Sequence, residues 1–443
     1  MDYQALYEKT PPTKLLTYVA IPGIISMFVS SLYQIIDGAL VGKILGSAAF
    51  AALNLVMPLV SINFSIADLI GVGSAVPIAI KLGQKDEKSA SVIFSSACLM
   101  IVFSGAILGA VLFLSAEPLV RFMGANEEIV KMSSQYLKVY AVCSPFVTIM
   151  FAVDNYLRIC GKVRFSLLLN VLMSVISAVL EIIFLVVFRM GVAGASLSTC
   201  IAMIICVILG FLPFIRGKLQ LRFVKPEFDR KMMLNIIKNG TPTFLDNIAG
   251  RVTSIIMNVF LLRMGGPTAV AAYGVLMYGE SLVLPMLYGL CDSLQPAIGY
   301  NYGMKNYKRI YAIERRCFGI CAVISIIMTS VLFFARGTIV SIFVKADDIE
   351  LITMSVHALS LFAFTFVTRW IPLATQSYLS AVGKAGHATI IAVSLSLVAP
   401  IIVLIAFRGF GLNGLWLNMP MTCLIVSVLS VILLNITYRK EAV

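Results

Sequence analysis

Residues 22–46 read PGIISMFVSSLYQIIDGALVGKILG, an apolar run carrying a single acid, Asp37, and a single base, Lys43. A bilayer core about 30 Å thick requires about 20 predominantly apolar residues per helix. The run belongs to an apolar segment near 15–41 that meets this length, with Asp37 inside it. Eleven further segments have the same character, near 51–80, 91–115, 132–157, 165–188, 193–215, 234–262, 268–302, 316–335, 352–380, 388–407 and 413–436. Over its 443 residues the chain is 60% apolar and 12% charged, with a mean hydropathy of +0.98. Soluble domains carry about a quarter charged residues. The composition therefore excludes a soluble protein, a disordered chain or a free nucleic-acid binder. An all-α integral membrane protein with twelve transmembrane helices is expected.

Charge gives the orientation. Lys and Arg number 34 against 21 Asp and Glu, a formal charge of +13. With a cytoplasmic N-terminus, 23 basic residues fall on inner segments, Arg158 among them, concentrated between Arg216 and Lys231 and around Lys305–Arg316. Nine fall outside, among them Lys43, Arg121 and Lys345, and Arg251 and Arg369 fall within spans. Cytoplasmic loops carry the excess of Lys and Arg in membrane proteins, so both termini are expected inside. The polar N-terminus and the long first apolar segment do not read as a cleavable signal peptide.

The opening stretch also recurs. A shift of 220 maps Pro22 onto Pro242, Gly46 onto Gly266, Met57 onto Met277, Gly83 onto Gly303, Lys85 onto Lys305, Gly191 onto Gly411 and Gly194 onto Gly414. A shift of 222 takes Tyr156, Gly161 and Lys162 to Tyr378, Gly383 and Lys384. Six spans per repeat give both repeats the same orientation, related by an axis along the membrane normal. The expected organisation is an N-lobe over 1–215, a basic connector over 216–233 and a C-lobe over 234–443. Two pseudo-symmetric six-helix lobes around a central cleft are a transporter design.

Seven acidic residues fall inside apolar spans: Asp37, Asp68, Asp154, Glu181, Asp246, Glu280 and Asp292. A carboxylate in the bilayer core costs about 3 kcal/mol or more, so each requires a partner, a cavity or an ion. With only Arg251 and Arg369 within the spans, at most two of the seven can be neutralised by salt bridges. Asp37, Glu181 and Thr199 all come out in the outer half at 1.5 Å rise per residue. Tyr33 and Asp37 share one helix face and Ser177 and Glu181 another. Two carboxylates ringed by Tyr, Ser and Thr oxygens suit a proton or Na⁺. The alternative is that the two carboxylates face different cavities.

In the second half, Asp246 and Glu280 fall near the midplane, where a cationic group is held among Tyr273, Tyr278, Phe244 and Met277 with aromatic faces assisting. Equally open is a structural role, with Arg251 paired to Glu280 and Arg369 to Asp292. Asp68 and Asp292 lie toward the cytoplasm, as expected of an inner gate, and Asp154 also comes out low. Enzyme signatures are missing: two His residues, no H-E-x-x-H, no P-loop and no G-x-S-x-G. Cys317 and Cys321 lie one turn apart, with no neighbouring pair in the sequence to complete a metal site. Neither an enzyme nor a bound cofactor or metal is expected, and ion gradients are left as the energy source.

Together these segments resemble the multidrug and toxic compound extrusion (MATE) family, in its MepA-like and DinF-like bacterial branch. The opening stretch resembles the first helix, NYLRICGK from Asn155 the element after the fourth, GVAGASLST from Gly191 the sixth-helix opening, and QPAIGYNYGMKNYKR from Gln295 the eighth-helix end. The resemblance covers essentially the whole chain. It implies that Asp37 takes the coupling cation, beside Tyr33, with Glu181 standing where Asp is usual, Ser177 where Asn is common, and Thr199 matching a family Thr. Asp154 or Asn155 occupies the fourth-helix Asn region. Asp292 stands where Gln is frequent, and Asp246 roughly matches the acidic seventh-helix position.

The implied activity is a monomeric antiporter in the bacterial cytoplasmic membrane, exporting small amphipathic cationic compounds while H⁺ or Na⁺ enters. The bilayer is its other partner, and nucleic acid is not one. The rival readings are a flippase for a lipid-linked metabolite, which often has extra helices, and a membrane-embedded transferase, for which no catalytic cluster is visible.

Overall fold

The computed structural model describes residues 4–344 and 347–441, leaving Lys345 outside the described residues. Every described element is helical: α1 (Pro12–Leu45), α2 (Ser47–Gly83), α3 (Glu87–Phe122), α4 (Glu127–Ile159), α5 (Val163–Val187) and α6 (Gly191–Ile215), then α7 and α8, the two arms of Arg230–Gly303. After these come α9 (Tyr307–Phe334), α10 (Ile349–Phe362 with Thr365–Ala381), α11 (Ala385–Ala406) and α12 (Asn418–Glu441). Among the described residues, ten helices are long and apolar enough to cross a membrane, and α10 adds an eleventh as two arms bent by 49°. The 74-residue stretch counts as two because Gly266, at φ 66° and ψ −165°, breaks it. Twelve spans result. Their outer faces are apolar: Phe103, Leu114, Ile255, Ile326 and Val428 are all more than half exposed. Such exposure is an aggregation hazard in water and the normal solvent contact in lipid.

The internal repeat is written into the backbone. Gly46 and Gly266 both have positive φ, as do Lys85 and Lys305 (61° and 58°), Gly161 and Gly383 (74° and 73°), and Gly191 and Gly411 (61° and 62°). Helix starts match as well. Asp86 accepts the Ser89 N–H and its counterpart Asn306 accepts the Arg309 N–H; Asn126 and Asp348 cap α4 and α10 in the same way. Each cap satisfies an otherwise orphaned amide of the first turn.

The chain forms two compact units. The first contains 1–10, 25–240 and 299–305; the second contains 11–24, 241–298 and 306–443. Within the first, the connector after α6 is strapped to α3. The Arg222, Val224 and Glu227 amides donate to the Ser91, Ser95 and Ser96 hydroxyls, while Phe223 packs on Phe94 at 4.9 Å. Also in this unit, repeat-equivalent Gly83 and Gly303 lie against each other. A Cβ on Gly83 would fall 2.0 Å from the Tyr300 carbonyl oxygen, and one on Gly303 2.1 Å from that of Ile80. Only glycine allows this approach. Gly83→Val is expected to destabilise the protein by about 1–3 kcal/mol or more through overpacking, read as a lower apparent melting temperature in detergent.

Candidate functional site

Within the first unit, three helices bring five polar side chains together. Tyr33 and Asp37 come from α1, Ser177 and Glu181 from α5, and Thr199 from α6. The Tyr33 hydroxyl is the hub, 3.2 Å from Asp37 Oδ1 and 3.2 Å from Thr199 Oγ1, and also hydrogen-bonded to Ser177 Oγ. Ser177 Oγ in turn donates to Thr199 Oγ1 at 3.2 Å. A hydroxyl has one proton and two acceptor lone pairs, so the Tyr33 proton serves one neighbour at a time and the network has interchangeable proton arrangements. Glu181 is 0% exposed, and neither of its oxygens has a hydrogen-bond donor among the described residues. The group it meets is the Asp37 carboxyl. Immediately after Glu181 the α5 backbone widens into a π-turn, Ile183–Val187, a local distortion frequent at functional sites. The donor set is all oxygen, two carboxyls and three hydroxyls, which is chemistry for a proton or a hard cation.

Asp154 belongs to a different cluster. It forms an ion pair with Arg158 at 2.6 Å, accepts from Asn170 Nδ2 at 2.8 Å and accepts from Ser166. Arg158 is 2% exposed. The expectation that only Arg251 and Arg369 neutralise intramembrane acids is therefore corrected: α4 runs to Ile159 and buries a third cation. Asn155 is half-buried and takes part in none of the hydrogen bonds joining the Asp37 group. Asp154→Asn leaves a buried guanidinium without its charge partner. It is expected to cost about 3–5 kcal/mol, seen as a large drop in melting temperature.

The second unit has its own acidic cluster. Asp246 accepts hydrogen bonds from Ser396 and, at 3.5 Å, from the Tyr288 hydroxyl. Glu280 lies 3.8 Å from Arg369, whose Nη1 also reaches Cys423 Sγ at 3.8 Å and whose Nε has no hydrogen-bond partner among the described residues. Two acids and one base leave a formal charge of −1. Ser396 sits in a second π-turn, Ser394–Val398 of α11. The pairing differs from the expected one. Arg369 takes Glu280 in place of Asp292, and Arg251 is exposed. Asp292 instead accepts from Gln295 at 2.8 Å and lies 3.5 Å from the Ser377 hydroxyl. Tyr273 is buried beside Glu280, and Phe244 and Met277 are half-buried. Tyr278 is 42% exposed and stacks on Phe343 at 4.8 Å. Asp68 is half-buried on α2.

Sequence reading missed Ser166, Asn170, Tyr288, Ser396 and Cys423. One signal was available: Ser166, Asn170, Ser174, Ser177 and Glu181 recur every three or four residues along α5 and are all buried.

The model of the family described as MatE matches residues 22–184 and 242–406. The chain belongs to the MATE family. The two matched blocks coincide with the two repeats of this MATE chain, whose family is one of multi-pass membrane transporters. Multidrug export protein MepA of Staphylococcus saprophyticus is 27% identical over 98% of this chain and 97% of its own length, and so is MepA of Staphylococcus aureus strain MRSA252. Among solved structures, MATE in complex with MaL6 superposes with a TM-score of 0.94 at 19% identity, over 100% of this chain and 99% of the other. An outward-facing multidrug resistance MATE transporter of the MOP superfamily gives 0.91 at 20% identity, over 99% and 98%. Its helical architecture is thus the MATE fold throughout.

Proposed function

We propose that this MATE chain is a secondary antiporter of the bacterial cytoplasmic membrane, exporting amphipathic cationic compounds while H⁺ or Na⁺ enters. The observation carrying this reading is the contact between Asp37 and the fully buried Glu181. Two adjacent carboxylates in a low-dielectric site cannot both remain ionised alone. They share a proton or hold a cation. Tyr33, Ser177 and Thr199 supply the oxygens that ligate Na⁺ or pass a proton. Loading and unloading of the ion changes the hydrogen-bonding demand on α1, and α1 is the element through which the site biases the transporter between its two states. Coupling follows because ion and substrate favour different states.

The acidic cluster of the second unit supports the choice of a cationic substrate. Its formal −1 charge attracts a cation, Tyr273 and Tyr288 offer aromatic faces, and Asp246 and Glu280 stay anchored by Ser396, Tyr288 and Arg369 while they do so. The MepA relatives are multidrug export proteins by name, which agrees with a broad amphipathic substrate range. The test is efflux of a fluorescent cationic dye from proteoliposomes under separately imposed pH and Na⁺ gradients. Efflux accelerated by one inward ion gradient supports antiport; efflux indifferent to both removes it.

A further inference from the structure

The second unit holds a group of three cysteines that neither acidic cluster uses. Cys291 lies on α8, and Cys317 and Cys321 lie one turn apart on α9. Their sulfurs all fall within 4.8 Å of one another, with Cys291 and Cys321 3.6 Å apart, and the three residues are 2%, 5% and 0% exposed. Among the described residues, no other group of three Cys, His, Asp or Glu ligand atoms is so compact. The sequence reading dismissed Cys317 and Cys321 because the third sulfur is 26 positions upstream of the first of them, brought in by the pairing of two helices.

From this geometry we infer a site for one soft divalent d¹⁰ cation, Zn²⁺ or Cd²⁺, bound by Cys291, Cys317 and Cys321. In tetrahedral or trigonal coordination at a metal–sulfur distance of about 2.3 Å, ligand sulfurs stand about 3.8–4.0 Å apart, and the observed spacing spans that value. The donor set is all sulfur, the opposite of the oxygen set around Asp37, and selects soft ions over Na⁺, Mg²⁺ and Ca²⁺. Charge also balances in the apolar surroundings. Two S–H bonds break, two thiolate–metal bonds form and two protons leave, while the third sulfur coordinates through a lone pair. The product is neutral. The bound ion ties α8 to α9. Two converging thiols would serve equally for a disulfide; the third sulfur favours a metal.

The test uses the purified, reduced full-length protein titrated with Cd²⁺. The expected result is one ion per chain, an ultraviolet thiolate-to-cadmium charge-transfer band, an absorption-edge spectrum fitted by three sulfur ligands, and release of two protons per ion. Cys291→Ala is expected to weaken binding by at least about 100-fold, beyond the losses typical of outer-shell substitutions. Cys143→Ala, at a free cysteine of the first unit, is expected to leave it unchanged. Because the wild-type spectrum needs no variant, a poorly folding Cys291→Ala does not decide the outcome. Oxygen-only ligation, a signal that survives Cys317→Ala and Cys321→Ala intact, or a Cys291–Cys321 disulfide formed without metal affinity would each overturn the proposal.

Discussion

Asp37→Asn is expected to abolish the ion-gradient-driven component of dye efflux while leaving the protein folded and in the membrane. The substitution keeps the size of the side chain and an oxygen for the Tyr33 hydroxyl, at 3.2 Å in the native protein. It removes the negative charge that pairs with an incoming cation. Losing one charged hydrogen bond of about 1.5–3 kcal/mol weakens ion binding by about 10- to 100-fold. The loss of coupling goes further than the loss of affinity. An ion that no longer distinguishes the two states moves no equilibrium, however much of it is supplied. Glu181→Gln is expected to act the same way, because the buried partner carboxyl then has no charge to contribute. Glu181→Asp keeps the charge at shorter reach and is expected to retain gradient response. Efflux rates in proteoliposomes, with melting temperatures as the folding control, separate these outcomes. A fully coupled Asp37→Asn protein would remove that residue from the mechanism.

Asp246→Asn is expected to act on substrate instead of on the ion. Ser396 and Tyr288 donate to different oxygens of Asp246, so the amide keeps one of them as donor to its oxygen while its NH2 donates to the hydroxyl oxygen of the other, and the formal charge of the cluster rises from −1 to zero. The half-saturating concentration of a cationic dye is expected to rise about 10-fold or more. A shift of about 1.4 kcal/mol suffices for this, less than one unit charge supplies at 4–6 Å with an effective dielectric of about 20. A neutral amphipathic substrate should show little change. Glu280→Gln is expected to add a second effect, because it leaves Arg369 without its carboxylate at 3.8 Å and places an unpaired positive charge in the cluster. Equal losses for cationic and neutral substrates in both variants would make these acids structural.

The fold was largely legible because lipid imposes a simple rule: each crossing must be a helix long enough to satisfy its own backbone. Gly46, Lys85, Gly161 and Gly191 could be matched to later counterparts by spacing alone, and the matched positions share left-handed backbone conformations. Helix interruptions were less legible. The 49° bend in α10 lies between Phe362 and Thr365, where the apolar pattern continues unbroken. At the acidic clusters, contacts on one helix face were readable, as with Tyr33–Asp37. The grouping of α1, α5 and α6 was anticipated through matching depth. Contacts that depend on how helices are rotated against each other were not readable. Arg369 takes Glu280 over Asp292 for this reason, and Ser396 reaches Asp246 across 150 positions of sequence. Arg158 was misread as an inner-loop cation because α4 extends past the apolar run, and only the folded chain shows it buried against Asp154.

In the proposed antiport, substrate leaves as a cation enters at Asp37 and Glu181. Its most direct test records both fluxes at once, in proteoliposomes loaded with a fluorescent cationic dye and a pH- or Na⁺-reporting indicator. Dye efflux is expected to be accompanied, in fixed proportion, by entry of one of the two ions, and Asp37→Asn is expected to abolish the ion entry. Dye efflux at the wild-type rate with no entry of either ion would contradict it.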